Sequence, residues 1–292
     1  MPYIAILALF IGFVIWNGSV VLGKPQQDPL RMVKLTRIGD KSAHTATLHL
    51  PQMLYIWPYF AFFSVPVIMG PLLRPLVPLL PKQLQTFCNN RLNISSNSKL
   101  PTLLVSCLFV AGSLAAVHFN TTIHPYTLAD NRHYVFYVFR IIRRHPAIKY
   151  IAVPIYYVCA WLVIQALASP PVDEIAVTPK RSGGPRSSKT DRQPCQVSFI
   201  TIWLATTALS VITAPLVEPR YFIIPWIIWR LHVPYSLASL SHDRPNKRTL
   251  YDIRLVLETL WLLAVNAGVS YMFLYRTFTW PSESGNKQRF IW

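Results

Sequence analysis

The chain has 292 residues, of which 52% are hydrophobic and 13% charged, about half the roughly 25% charged share of a soluble domain. Its mean hydropathy is +0.34, and its charges sit in short blocks separated by long charge-free stretches, which argues against a soluble globular domain. The formal net charge of +17 does not point to nucleic acid, because no recognition helix or RNA-binding motif accompanies it. Loops facing anionic lipid headgroups account for it instead.

An unpaired charge is costly in a bilayer, so charge-free windows of about 20 residues are expected to span it. Seven windows qualify or come close: 1–23, 50–73, 100–129, 150–172, 193–217, 221–229 and 259–275. The first lacks a basic leader and a small-residue cleavage motif, so it is expected as a span and not as a signal peptide. The sixth is short; it either continues past Arg230 to Leu240 or lies in the interface. The expected fold is therefore all-α, a polytopic integral membrane protein with about seven hydrophobic segments.

Between the windows, PLLRPLVPLLPK (71–82) is too proline-rich for a straight helix. Residues 170–196 are rich in Pro, Gly, Ser and charge, a composition that buries no core and predicts a disordered linker. Cys88, Cys107, Cys159 and Cys195 form no CxxC pair, so neither a metal site nor a disulfide framework is expected.

If all seven segments cross, one side (end A) holds 24–50, 119–149, 214–220 and the C-terminus. The other (end B) holds 74–99, 170–196 and 241–254. Lys and Arg divide equally between the two, so the positive-inside rule gives no orientation. The segment KPQQDPLRMVKLTRI (24–38) is neither hydrophobic nor periodic, and it adds Lys24, Arg31, Lys34 and Arg37 to end A. Without it the basic majority lies at end B, which makes end B cytosolic and end A lumenal.

Three polar patches lie at end A. GDKSAHTATLHLPQ (39–52) sets Asp40, Lys41, Ser42, His44 and His49 just before a span; a turn with a Ser cap would explain it equally. HPYTLADNRHYVFYVFRIIRRHP (124–146) joins Asp130, Asn131, Arg132 and His133 to Tyr134 and other aromatics, then to Arg140, Arg143 and Arg144. Interfacial aromatics are common, but a dense Asp-Asn-Arg-His run is not. Arg suits phosphate because its planar fork donates two parallel hydrogen bonds. EPRYFIIPW (218–226) places Glu218 and Arg220 at the mouth of a hydrophobic segment, where a local ion pair is the competing explanation. Together the patches predict an interfacial site for an anionic, lipid-linked substrate.

In chain order, NGS (17–19), GDKSAH (39–44), HLPQM (49–53), HPYTLADNRHYVFYVFR (124–140), EPRYFIIPW (218–226) and RFIW (289–292) closely resemble a known family. It is the endoplasmic reticulum α-1,2-glucosyltransferases that use dolichyl-phosphate glucose, members of the C-type superfamily of polytopic glycosyltransferases. The resemblance implies addition of the last glucose to the diglucosylated dolichyl-diphosphate-linked oligosaccharide of N-glycosylation. The partners implied are dolichyl-phosphate glucose, the dolichyl-diphosphate oligosaccharide and membrane lipid, with no cofactor, no metal and no nucleic acid. A carboxylate base would take the proton of the attacking glucose 2-hydroxyl, and basic side chains would stabilise the leaving phosphate. Arg132, His133 and Arg140 or Arg220 are the candidates for that task by charge and position; Asp40 and Asp130 are expected to shape the site.

Two departures carry expectations. The family's N-terminal spans and the acidic lumenal motif that would supply the base have no counterpart in this sequence. A C-terminal portion, inactive alone, is therefore expected, with the catalytic residue unassigned; restored glucosylation in cells lacking the enzyme would refute it. Residues 24–38 interrupt a stretch that is continuous in the family, as a retained intron would, and uninterrupted transcript support would rule that out. The sequons at Asn17, Asn93 and Asn120 are expected to stay unused. The competing functions are a noncatalytic subunit that binds lipid-linked glycan and a membrane transporter; no internal repeat supports the latter.

Overall fold

Eleven α-helices, two 3-10 helices and one β-hairpin are found among the described residues of the computed structural model, which are 2–17, 48–92, 100–121, 125–128, 132–168, 197–214, 216–234, 252–280 and 283–290. Segment 24–38, the linker 170–196, and Asp40, Lys41, His44, Asp130 and Asn131 lie outside them.

The hydrophobic windows become α1 (Pro2–Asn17), α2 (Gln52–Phe63), α6 (Leu103–Asn120), α8 (Pro146–Ala168), α9 (Val197–Ile212), α10 (Arg220–His232) and α11 (Ile253–Tyr275). Among the described residues three of them, α6, α8 and α11, are long and apolar enough to cross a membrane by themselves, and α9 is a shorter apolar helix. The chain is a helical membrane protein, but the seven windows do not give seven full-length helices. Window 50–73 shows why. It breaks at Ser64 into α2, α3 (Val65–Ile68) and α4 (Gly70–Leu73), because Pro66 and Pro71 cannot supply the N–H groups that continue a helix. Arg74–Leu79 follows as a 3-10 helix, in keeping with its prolines, and α5 (Lys82–Arg91) is polar. The sixth window ends as α10 at His232, short of Leu240.

Local chemistry sets the helix ends. Thr102 caps α6 by accepting the Val105 N–H, and Asp252 caps α11 by accepting the Arg254 N–H at 3.0 Å. Pro58, Pro154 and Pro225 lie inside α2, α8 and α10, and each removes one helical hydrogen bond.

α2 is the central element. It packs against α8, α9 and α10, while α6 and α7 (Tyr134–Arg144) lean on α8 and α11 lies along α3. Phe60 and Trp229 are fully buried, with Phe60 rings 5.9 Å from Trp203 and 5.6 Å from Trp229. Lipid tails are as apolar as these rings, so close packing and internal hydrogen bonds, not escape from water, hold such helices together. Three indoles accordingly donate inward: Trp203 to the Pro225 carbonyl, Trp229 to the Val163 carbonyl and Trp226 to the Ser64 hydroxyl. Outward, α11 and α6 leave rows of Leu, Val and Phe exposed, as lipid-facing surfaces do.

Hydrogen bonds show which helix ends lie together. At end A the His49 N–H meets the Ile212 carbonyl at 2.8 Å, the Leu50 N–H meets Asn120 Oδ1 at 2.7 Å, and His118 meets the Tyr150 hydroxyl at 2.8 Å. This gathers the starts of α2 and α8 with the ends of α6 and α9. At end B, Arg230 near the end of α10 forms a side-on pair with Glu258 in α11, with Nη2 2.6 Å from Oε2. One element was not foreseen. After α11, β1 (Thr277–Trp280) pairs antiparallel with β2 (Glu283–Arg289), and Phe290 beyond it contacts Phe278 and the Tyr137 ring of α7.

Candidate functional site

The site is built around α7 and the turn between α9 and α10. Arg132 and His133 are exposed and lead into α7, with the His133 carbonyl accepting the Phe136 N–H at 3.1 Å. α7 is strongly amphipathic. Phe136 and Phe139 are buried, while Arg140, Arg143 and Arg144 are exposed. The spacing decides which side chains meet which wall: Val135, Val138, Phe139 and Ile142 fall on one face at helical intervals, and all four line a cavity of about 670 Å³.

That cavity is closed by Tyr55, Tyr59 and Phe63 of α2, by Val217 and Pro219 of the α9–α10 turn, and by Gly268 and Val269 of α11. Its walls are almost wholly apolar. Tyr134, the first residue of α7, lines its end-A side; burial pushes its phenol well above the usual value, and Tyr59 adds to the shift. Glu218 and Arg220 flank Pro219 and form an ion pair with each other. Arg220 is 71% exposed and stands 5.6 Å over the Tyr221 ring. Glu218 holds this guanidinium still more firmly charged. An exposed pair two residues apart contributes little stability, which leaves the arginine fork available to an anion.

Patches two and three therefore adjoin one cavity, which Tyr134 lines next to Arg132 and His133, and which Val217 and Pro219 line next to Glu218 and Arg220. Patch one contributes from behind. Gln52 is 1% exposed and its amide N–H2 donates to the Ala214 and Leu216 carbonyls, so it fixes the turn that presents Glu218. Its Oε1 is buried and accepts no hydrogen bond. Gln52 was not singled out from sequence, although a polar amide at the start of a hydrophobic window was the available signal. Arg140 is not brought to the mouth. It lies on the opposite face of α7, lining a separate cleft with Tyr137, Arg143 and Arg144. Among the described residues no three His, Cys, Asp or Glu side chains form a metal-binding group.

The arrangement offers an apolar slot between helices, with basic residues adjoining its lining in the chain. Such a site holds an amphiphile whose head is anionic.

Comparison with known proteins gives a consistent set of relatives. The family model described as "DIE2/ALG10 family" matches residues 1–231. A protein of Aspergillus fumigatus named Dol-P-Glc:Glc(2)Man(9)GlcNAc(2)-PP-Dol alpha-1,2-glucosyltransferase is 39% identical over 358 residues, covering 100% of this chain and 55% of the relative. Proteins of the same name from Emericella nidulans and Rattus norvegicus are 38% and 30% identical, with all of this chain and 55% and 46% of theirs covered. The chain thus spans about half the length of the curated relatives it matches. No solved structure matches it. On the family match, which takes in the polar patches of both α7 and the α9–α10 turn, the chain belongs to the DIE2/ALG10 family.

Proposed function

We propose that the chain serves transfer of glucose from dolichyl-phosphate glucose, in α-1,2 linkage, to the diglucosylated dolichyl-diphosphate-linked oligosaccharide in the endoplasmic reticulum membrane. The observation that carries this is an apolar cavity of about 670 Å³ lined by Pro219, whose chain neighbour Arg220 is exposed. A lipid-phosphate sugar has both halves of that chemistry. The shared name of the relatives supports it.

In this reading the first isoprene units lie between α2, α7 and α11, and the phosphate meets Arg220, with Arg132 and His133 across the mouth. The acceptor hydroxyl oxygen attacks the anomeric carbon as the carbon–oxygen bond to phosphate breaks. The hydroxyl proton passes to a carboxylate base, and the bonding pair leaves with dolichyl phosphate. Arg220 holds the charge that develops on that phosphate, which is where a fixed cation contributes most. The phosphate ester itself supplies the activated bond, so the reaction calls for no cofactor, and end A faces the lumen.

Donor binding tests the site directly. Dolichyl-phosphate glucose is expected to bind the chain in nanodiscs, and Arg220→Ala or Arg132→Ala to weaken it about tenfold, the loss of one charge-assisted contact. Equal affinity in both variants and the parent would remove the phosphate site.

A further inference from the structure

The donor cavity continues beyond its own floor. Along α11, Arg254, Leu257, Trp261, Val265 and Gly268 recur at intervals of three and four and so share one face. Val265 and Gly268 line the donor cavity. Arg254, Leu257 and Trp261 line a second cavity of about 610 Å³, walled on the other side by Val65 and Ile68 of α3 and Ala166 of α8. Both cavities are thus parts of one seam between α2–α3 and α11. Between them the Phe62 and Trp261 rings lie 5.4 Å apart, and the Trp261 indole donates to the Phe62 carbonyl at 2.7 Å.

Charge gives the seam a direction. At end B its terminal cation, Arg254, is already held by both carboxylate oxygens of Asp252. At end A, Arg220 is exposed to solvent. An anionic head belongs at end A and an apolar tail runs toward end B. Length then selects the tail. From Arg254 to Val269 the stripe covers about 22 Å at 1.5 Å per residue, against roughly 15 Å for one leaflet of a 30 Å hydrocarbon core. A phospholipid acyl chain entering at end A stops near the middle of the membrane, whereas a polyprenyl chain continues.

We propose that this seam sheathes the polyprenyl chain of the donor, with the proximal units in the first cavity and the distal units past Phe62 and Trp261 in the second. The assignment rests on the donor reading above. It makes α11, whose outward side faces lipid, the lateral wall through which the chain enters.

The test uses farnesyl phosphate and pentaprenyl phosphate, each with a diazirine at the far end of the chain, cross-linked to the protein in phosphatidylcholine nanodiscs. The farnesyl probe is expected to label Val265 and Val269, and the pentaprenyl probe Leu257 and Leu260. Ala264→Trp fills the second cavity from α11, and Ala166→Trp fills it from α8. Each is expected to cut the pentaprenyl label at Leu257 and Leu260 by about fivefold, as loss of burial for part of one isoprene unit requires, and to leave the farnesyl pattern unchanged. Pentaprenyl label confined to end A, scattered into lipid, or indifferent to both substitutions overturns the sheath. Excess dolichyl-phosphate glucose separates the two failures: if it displaces both probes while distal label is missing, the sheath alone falls, and if it displaces neither, the donor reading falls with it.

Discussion

The two ends of α10 carry the same residue in opposite circumstances. At its start, Arg220 pairs with a carboxylate two residues away and stays 71% exposed. Near its end, Arg230 reaches across to Glu258 of α11 and is 20% exposed. The first pair holds no helices together and leaves its cation available. The second ties two helices through mostly buried side chains, where an unpaired charge is costly. In the proposed function end A is the binding surface, on a scaffold that end B and the aromatic core secure.

That contrast breaks most severely through the core. Trp229→Ala removes a fully buried indole and its bond to Val163 and is expected to cost about 4 kcal/mol, in the range for buried aromatic truncation. Denaturant unfolding in mild detergent measures it, and donor affinity in the surviving folded fraction should be kept. Glu258→Ala comes next, at about 3 kcal/mol, because Arg230 is left buried without its partner. Replacing both residues, Arg230→Met with Glu258→Leu, should restore the parent's stability to within about 1 kcal/mol; a double variant as unstable as the single one would show that the pair does more than cancel charge.

At the other end the sign of the effect changes from stability to binding. Arg220→Ala should leave unfolding essentially unchanged, as an exposed pair does, while it weakens dolichyl-phosphate glucose binding. A large loss of stability there would place the pair with the scaffold. Arg140→Ala sharpens the boundary further. Since Arg140 faces away from the cavity, donor affinity should change by no more than about twofold, less than a lost hydrogen bond to charge would give. The smallest effect concerns metal. Treatment with a chelator should leave donor binding unchanged, measured by the same titration.

Much of this division was legible in the sequence. Charge-free windows located the core helices, and two of the polar patches adjoin one cavity through Tyr134 and Pro219. The break at Ser64 was not drawn, because hydropathy across 50–73 is continuous and Pro66 had to be weighed against it. Arg140 was grouped with Arg132 because they are close in the chain. A helix that begins at Tyr134 turns them to different walls, and only its periodicity, not its composition, carries that information. Gln52 escaped notice because an amide's role depends on the carbonyls opposite, which come from residues 214 and 216 of another segment. The hairpin after α11 has no hydrophobic signal strong enough to announce it; its aromatic contacts to α7 are what hold it in place.

The interior prolines have a mechanical consequence. Pro58, Pro154 and Pro225 sit in the three packed helices that begin at end A, each within about 12 Å of the start at 1.5 Å per residue. Every one of those helices is a hydrogen bond short at nearly the same height. The bundle is therefore a stiff column below that level and a jointed rim above it. Glu218, just before α10, rides on the rim, where three short collars can bend without loosening the aromatic core beneath.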